Sequence, residues 1–235
     1  MDREYAKHFL SKDILLHIDM LQAFENMPLG FVRIEKKGVA LQPQNSDILF
    51  LSAETPKIVK KLLLGWPLKF SHVVVHQFVN VSFFEKNFGM NYEVVCYQAA
   101  YLKKDNLPLS NPNLRISALD IEHFDFIKRH YSHNIGDEYI AARLLQGNMY
   151  GGYIDGEIVG FIGLHEEGTM GLLEVLPQYH RMKIASTLQA WLSNHLISQG
   201  KTPMAQIVQT NTASLSLQRS MGFEISDQLI YWMCF

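Results

Sequence analysis

The sequence predicts a mixed α/β (α+β) protein, and three observations predict it. Apolar stretches of strand-like and helix-like period follow one another along the chain, Gly and Pro punctuate them, and a polar segment broken twice by proline divides residues 1–110 from 111–235. Hydrophobic content of 48% with 19% charged residues is enough to bury a sizeable core. The length suggests a main domain with a smaller partner.

Each element follows from its residues. Residues 13–24 place Ile14, Leu15, Ile18 and Leu21 at helical spacing behind a cap from Ser11 or Asp13, and Pro28 with Gly30 breaks the pattern. Residues 31–34 and 39–41 read as a hairpin, and 48–52 as the next strand. Pro56 opens a helix to residue 64, since proline is tolerated in a first turn. Val and aromatic residues at 70–78 predict a strand, 82–88 a short helix and 92–102 a long strand. Residues 103–113, polar and carrying Pro108 and Pro112, read as a linker.

Beyond it, 114–119 alternates as a strand, Asp120 caps a helix reaching about residue 131, and 136–146 forms another with Ile140 and Leu144 on one side. Asp155-Gly156 is a turn dipeptide joining strands at 152–154 and 157–165. A central strand stops at Pro177, a helix runs from Ile184 to Leu196, a strand follows at 204–209, Asn211 caps a helix ended by Gly222, and a last strand occupies 229–235. The order strand, helix, strand, helix, Gly, strand occurs in both halves. Segment 86–90, Lys-Asn-Phe-Gly-Met, echoes 219–223, Arg-Ser-Met-Gly-Phe, which suggests that the N-terminal part is a degenerate copy of the C-terminal one.

Composition excludes several classes. A net charge of −2 without a basic patch argues against nucleic acid. No apolar run reaches the length of a membrane span and residues 1–8 lack a signal-peptide apolar region, so no membrane association and a cytoplasmic location are expected. Two cysteines, Cys96 and Cys234, make no disulfide framework. The ten histidines include His72 and His76 on one strand face and His123, His130 and His133, but none has ligand spacing with Cys or carboxylates, so no metal is expected.

Chemistry concentrates between residues 168 and 189. There an apolar run ends in Val175-Leu176-Pro177, and a helix begins at Ile184 after Gln178-Tyr-His180-Arg181-Met182-Lys183. The first amides of a helix lack intrahelical partners and carry the positive end of its dipole, so such a strand-to-helix turn suits a pyrophosphate, and His180, Arg181 and Lys183 add positive charge.

At these residues the chain resembles the GNAT superfamily of acyl-CoA-dependent N-acyltransferases, whose phosphate loop usually reads Pro-Glu-Tyr-Arg-x-x-Gly-x-Gly/Ala. Pro177, Gln178, Tyr179 and Ala185 fit, His180 replaces Arg or Gln, and Lys183 stands where Gly is usual. Downstream, Asn211-Thr-Ala-Ser214-Leu-Ser-Leu217-Gln218 with Gly222-Phe223 is similar to the family's Asn-x-x-Ala/Ser-x-x-Leu-Tyr-x-x-x-Gly-Phe. Gln218 takes the position of the tyrosine that would protonate the departing thiolate, leaving water, Ser214 or Tyr231 to substitute, or the thiolate to leave unprotonated. The partner domain and Tyr231-Trp232 in the last strand are also similar to the glycine N-acyltransferase branch.

The resemblance implies a GNAT-type fold with a smaller degenerate N-terminal domain and acetyl-CoA as co-substrate. The acceptor would be a small-molecule amine or amino acid. It implies that the thioester arm lies along Glu174, Val175 and Leu176. It further implies that His180, Arg181, Met182, Lys183, Ile184 and Ala185 hold the pyrophosphate, and that Asn211 and Ser214 complete the cofactor-binding set. For the base, a carboxylate partly withdrawn from water is suited to accept a proton. Glu167, at the start of the central strand where several family members carry a catalytic glutamate, comes first, Glu174 second, and Glu166 reads as a solvated turn residue. The other reading is a non-catalytic acyl-CoA-binding or regulatory module. Exposed strand edges would allow a homodimer.

Overall fold

The computed structural model describes residues 2–133 and 135–235. The chain forms two units: one holds residues up to Ala100 with Gln206–Ser216 and Glu224–Phe235, and the other holds Tyr101–Ala205 with Leu217–Phe223.

In the first unit, helices α1 (Arg3–Leu10) and α2 (Ile18–Asn26) precede strands β1 (Leu29–Glu35), β2 (Gly38–Pro43) and β3 (Ile48–Ala53). Helix α3 (Pro56–Leu63), strand β4 (His72–Val75), helix α4 (Val81–Phe88) and strand β5 (Asn91–Ala100) follow. The sheet has seven strands in the order β1-β2-β3-β4-β11-β5-β10, where β10 is Met204–Val208 and β11 is Glu224–Cys234. Strands β3 and β4 pair in parallel, and β11 pairs antiparallel with β4 on one side and β5 on the other.

Helices cover both faces, so the inner strands are apolar on both sides. Phe50, Val74 and Ile230 pack against Phe9, Leu10, Met20 and Phe24 of α1 and α2. Leu49, Leu51, Val73, Val75 and Met233 pack against Val59, Leu62, Val81 and Phe84 of α3 and α4. Each fully buried Leu, Val or Phe contributes about 1.5–3 kcal/mol.

The second unit has a four-stranded antiparallel sheet, β6 (Arg115–Ala118), β7 (Met149–Ile154), β8 (Glu157–Leu164) and β9 (Met170–Val175), in that order. Helices α5 (Phe124–His130) and α6 (Asp137–Leu145) bury Ile127, Ile140 and Leu144 against Met149, Phe161 and Leu172. Helix α7 (Ile184–Ser198) packs on β8 and β9. Helix α8 (Thr212–Ser220) follows β10. No helix among the described residues is long and apolar enough to cross a membrane.

Several expectations need correction. A contiguous domain over 111–235 does not describe the sheets, because β11 leaves it to sit between β4 and β5, where it satisfies backbone groups of both. The expected linker is fastened down: the Leu107 amide donates to Asn194 Oδ1 at 2.7 Å and its carbonyl accepts from Asn194 Nδ2 at 2.9 Å, so one amide side chain imitates a strand partner. The helix expected over 13–24 starts only at Ile18, and α1 precedes it, capped by Asp2, whose side chain accepts from the Tyr5 amide. Strand β4 ends at Val75 although the apolar run continues, because a turn at Phe78–Asn80 leaves Phe78 and Val79 exposed. Strand β11 begins before residue 229 because the Ser226 hydroxyl accepts from the Gln98 amide, so polar residues belong to the strand.

Between helices and sheet the first unit encloses a polar network. His76 Nδ1 lies 2.9 Å from the Leu51 carbonyl and Nε2 2.8 Å from Asp19 Oδ1, and only a doubly protonated ring serves both acceptors. Burial would drive this imidazole down, but the charge and hydrogen bond of Asp19 leave it raised above its ordinary value. His17 stacks on it, points Nδ1 at the Leu10 and Asp13 carbonyls and accepts from the Ser52 hydroxyl at Nε2. Burial first, and then the charge of His76, lower His17 to about 4.

These opposed shifts place maximal stability near neutrality. The unfolded chain binds more protons than the folded one between the ordinary histidine value and about 4, so the His17 contribution is complete above pH ~6.5 and lost as pH falls toward 4, at a cost of about 3 kcal/mol. The His76 contribution is complete below pH ~6.5 and lost as pH rises through its folded value. Urea denaturation across this range will show both limbs, and His17→Gln will flatten the acid one.

Candidate functional site

The site forms where β9 ends and α7 begins. Strand β9 is an edge strand, bonded in its sheet to β8 alone. Its register slips between Phe161↔Glu174 and Gly163↔Gly171, so Leu172 and Leu173 together oppose Ile162. Leu172 takes the bulge with φ +51°. A left-handed leucine costs roughly 1–2 kcal/mol. Burying its side chain in the core beneath α5 and α6 returns about 2 kcal/mol, so the bulge is held by packing.

After β9 the backbone makes a short turn at Pro177–Tyr179 and then alternates, with Arg181 at φ +62° and Lys183 at φ +60°. Such alternation points successive amides into one concavity, a geometry suited to anions. The first bond into the helix runs from the Thr187 amide to the Lys183 carbonyl, and no side chain caps α7. Among the described residues the amides of Arg181, Met182, Lys183, Ile184, Ala185 and Ser186 meet no acceptor, while Arg181 and Lys183 are exposed and form no ion pair. Asn111 steadies the turn, its Nδ2 donating to the Met182 carbonyl and its amide to Thr187 Oγ1, both at 3.0 Å.

The expected residues divide accordingly. The structure brings together Glu174, Val175, Leu176 and the run His180 to Ala185. His180 has turned back, its Nε2 2.9 Å from the Val175 carbonyl, and the Leu176 amide donates to Val159, so those two backbone groups are spent within the protein. Glu174 Oε2 accepts from the Ser132 amide at 3.1 Å, and burial followed by the charge of Glu174 pushes the Tyr131 hydroxyl up to about 12. Glu167 lies in the turn before β9 rather than on the strand, is 8% exposed, and accepts from Thr169 Oγ1 at 2.5 Å. Glu166 is exposed. Asn211 and Ser214 belong to the first unit, where Asn211 Oδ1 caps α8 by accepting from the Ser214 amide at 3.0 Å. Gln218 is 3% exposed and its Oε1 has no partner among the described residues.

Sequence reasoning missed the anchoring role of Asn111, because a linker carries no periodicity. It also missed the bulge at Leu172, whose leucine gives no sign of positive φ. Lys183 shows why glycine suits its position: the backbone there is left-handed. Among the described residues no three His, Cys, Asp or Glu side chains are grouped as metal ligands would be.

Comparison with known proteins gives a consistent picture of the fold. A family model described as FR47-like protein matches residues 150–233, which include β7, β8, β9, the turn and α7. No curated protein matches the sequence. Among solved structures, a Drosophila protein superposes with a TM-score of 0.63 at 17% identity, covering 84% of this chain and 74% of its own. A GCN5-related N-acetyltransferase from Kribbella flavida gives 0.59 at 11% identity, covering 94% and 95%. An acetyltransferase of the GNAT family from Colwellia psychrerythraea gives 0.52 at 13% identity, covering 99% and 95%. The chain has a GNAT-type mixed α/β fold.

The left-handed turn makes a stability prediction. Lys183→Gly will stabilise the protein by about 1 kcal/mol and Lys183→Val will destabilise it by at least as much, because only glycine takes this conformation without strain. The urea midpoints of the two variants against the parent check it.

Proposed function

We propose that the protein is an acyl-CoA-dependent N-acyltransferase that transfers acetyl from acetyl-CoA to a primary amine of a small molecule or amino acid. The observation that carries this reading is the row of six partnerless amides from Arg181 to Ser186, curved by two left-handed residues at the positive end of a fifteen-residue helix. The donor set fits a pyrophosphate: fixed N–H groups supply direction, and the free side chains of Arg181 and Lys183 supply charge.

When bound, acetyl-CoA supplies a thioester carbon, to which the amine nitrogen bonds as the carbon–sulfur bond breaks and the thiolate leaves. The protein's own residues do the rest. The edge of β9 at Glu174 orients the arm, since the Val175 carbonyl and the Leu176 amide are held by His180 and Val159, with the bulge at Leu172 interrupting strand pairing beside it. Glu167, held by Thr169, takes the proton of the acceptor ammonium through a water. Glu174 positions the chain around Ser132 and stands second as base. The N-terminal half, read as a degenerate copy, lacks the counterpart turn and serves as scaffold.

A second reading, a non-catalytic acyl-CoA-binding or regulatory module, draws on one observation: Gln218 is enclosed and has no proton to give a leaving thiolate. Turnover decides between them.

Calorimetric titration will give micromolar binding of acetyl-CoA and CoA, about −8 kcal/mol, and absence of binding removes both readings. Glu167→Gln will retain that affinity while acyl transfer across an amine panel falls by about 10²–10⁴-fold. An unchanged rate moves the role to Glu174 or to water, and binding without turnover in the parent protein establishes the module.

A further inference from the structure

Helix α3 has two unlike faces. Val59 and Leu62 are buried against the sheet, while Lys57, Lys60, Lys61 and then Leu64, at helical spacing on the opposite side, are exposed. Residues 55–71 hold four lysines and no Asp or Glu, in a chain whose net charge is −2. Among the described residues none of the four, Lys57, Lys60, Lys61 and Lys69, forms an ion pair. Glu54, the nearest carboxylate in sequence, is taken by Lys37 at 2.5 Å. Along the chain these lysines do not stand out as a patch; the helix puts three of them on one side.

Beyond α3 the loop 64–68 reads Leu-Gly-Trp-Pro-Leu. Leu64 is 74% exposed, Gly65 and Pro67 are exposed, and Trp66 and Leu68 are half-buried. A single exposed leucine is ordinary, but this one is held out by a frame. Arg33, on the edge strand β1, rests on Phe31 and Trp66 and donates to the carbonyls of Leu62 and Leu64. Trp66 donates its amide to the Leu63 carbonyl at 3.0 Å and its Nε1 to Gln42 Oε1 at 2.9 Å. Gln42 Nε2 in turn donates to the Lys69 carbonyl at 2.7 Å. The loop is therefore pinned at both ends, and these polar groups are already engaged, so it can leave water with little ordering cost.

We propose that α3 and the loop 64–68 form a docking surface for an anionic lipid bilayer. The three lysines meet the headgroup charges, and Leu64, with Trp66 behind it, enters the boundary between headgroups and acyl chains. A helix that lies on a membrane needs no spanning length, so the lack of a long apolar run does not bear on it. An RNA would use the lysines but would have no place for Leu64, and Trp66 is already packed against Phe31 and Arg33. Phe78 and Val79 are exposed too, but helix α4, which follows them, balances Glu85 with Lys86 and offers no single sign of charge. Docking through α3 is independent of any acyl transfer.

The test is co-sedimentation of the full chain with vesicles of phosphatidylcholine alone or with about one-third phosphatidylserine. The mixed vesicles will bind at least 100-fold more tightly, and raising the salt from about 0.1 M to about 1 M, which shortens the Debye length from roughly 10 Å to 3 Å, will release the protein. Lys57→Gln, Lys60→Gln and Lys61→Gln, added in succession, will each weaken binding about fivefold, and Leu64→Ser will weaken it about tenfold or more. Lys103→Gln with Lys104→Gln, a pair of exposed lysines elsewhere, will change nothing. All these side chains are exposed, so the variants will keep the melting temperature and CoA affinity of the parent. No binding to mixed vesicles, equal binding to both kinds, or undiminished binding by the α3 lysine variants would overturn the proposal. Tighter binding of a polyuridylate RNA than of vesicles, with Leu64→Ser without effect, would overturn it in favour of a polyanion partner.

Discussion

The pairing of β11 between β4 and β5 is the interaction on which the first unit depends. Both neighbours are interior strands of the sheet, and an unpaired buried backbone group costs as much as a lost hydrogen bond. Tyr231, Trp232 and Met233 answer Val75, Val74 and Val73 on one side, while Tyr231 and Trp232 answer Val95 and Val94 on the other. The last strand therefore closes a sheet whose other members come mostly from the first hundred residues. Forming it requires contacts distant in sequence, whose loop-closure entropy slows folding.

The polar network beneath that sheet depends on the same closure. Gln206 Oε1 on β10 accepts from Trp232 Nε1 at 2.7 Å, and its Nε2 donates to Asp19, which in turn holds His76. A carboxylate and an imidazolium are both fully enclosed, and such a pair is tolerable only when every lone pair and proton has a partner. The Leu51 carbonyl, the Met20 amide and Gln206 Nε2 provide those partners, while His17, Ser52 and Gln77 extend the network toward β3, so it joins helices to sheet through polar contacts.

In the second unit the functional region is where local rules are broken. Leu172, Arg181 and Lys183 are non-glycine residues in left-handed backbone, within twelve positions of one another. Strain of this kind persists only where surrounding structure over-determines it, and it concentrates where backbone groups must face a ligand. Here packing holds Leu172, the Asn111 clamp holds the turn, and among the described residues the amides of the turn meet no acceptor.

Much of this was legible along the chain. Alternating and helical apolar periods located almost every strand and helix, Asn211 and Asp120 served as the caps their positions suggested, and Gly89 and Gly222 ended helices at positive φ. The strand-to-helix turn was legible because Pro177 and the basic run around Arg181 are local signals, read from neighbours in sequence. Tertiary structure alone decided which strand lies beside which, because β11 is apolar and alternating in a way that suits either sheet. It alone decided that Lys183 would be left-handed and that Asn111 would fasten the turn. Sequence by itself determined the elements, whose periods follow from backbone geometry, and only the folded chain decided the pairings, since the energy of a buried hydrogen bond or charge depends on everything that excludes water from it.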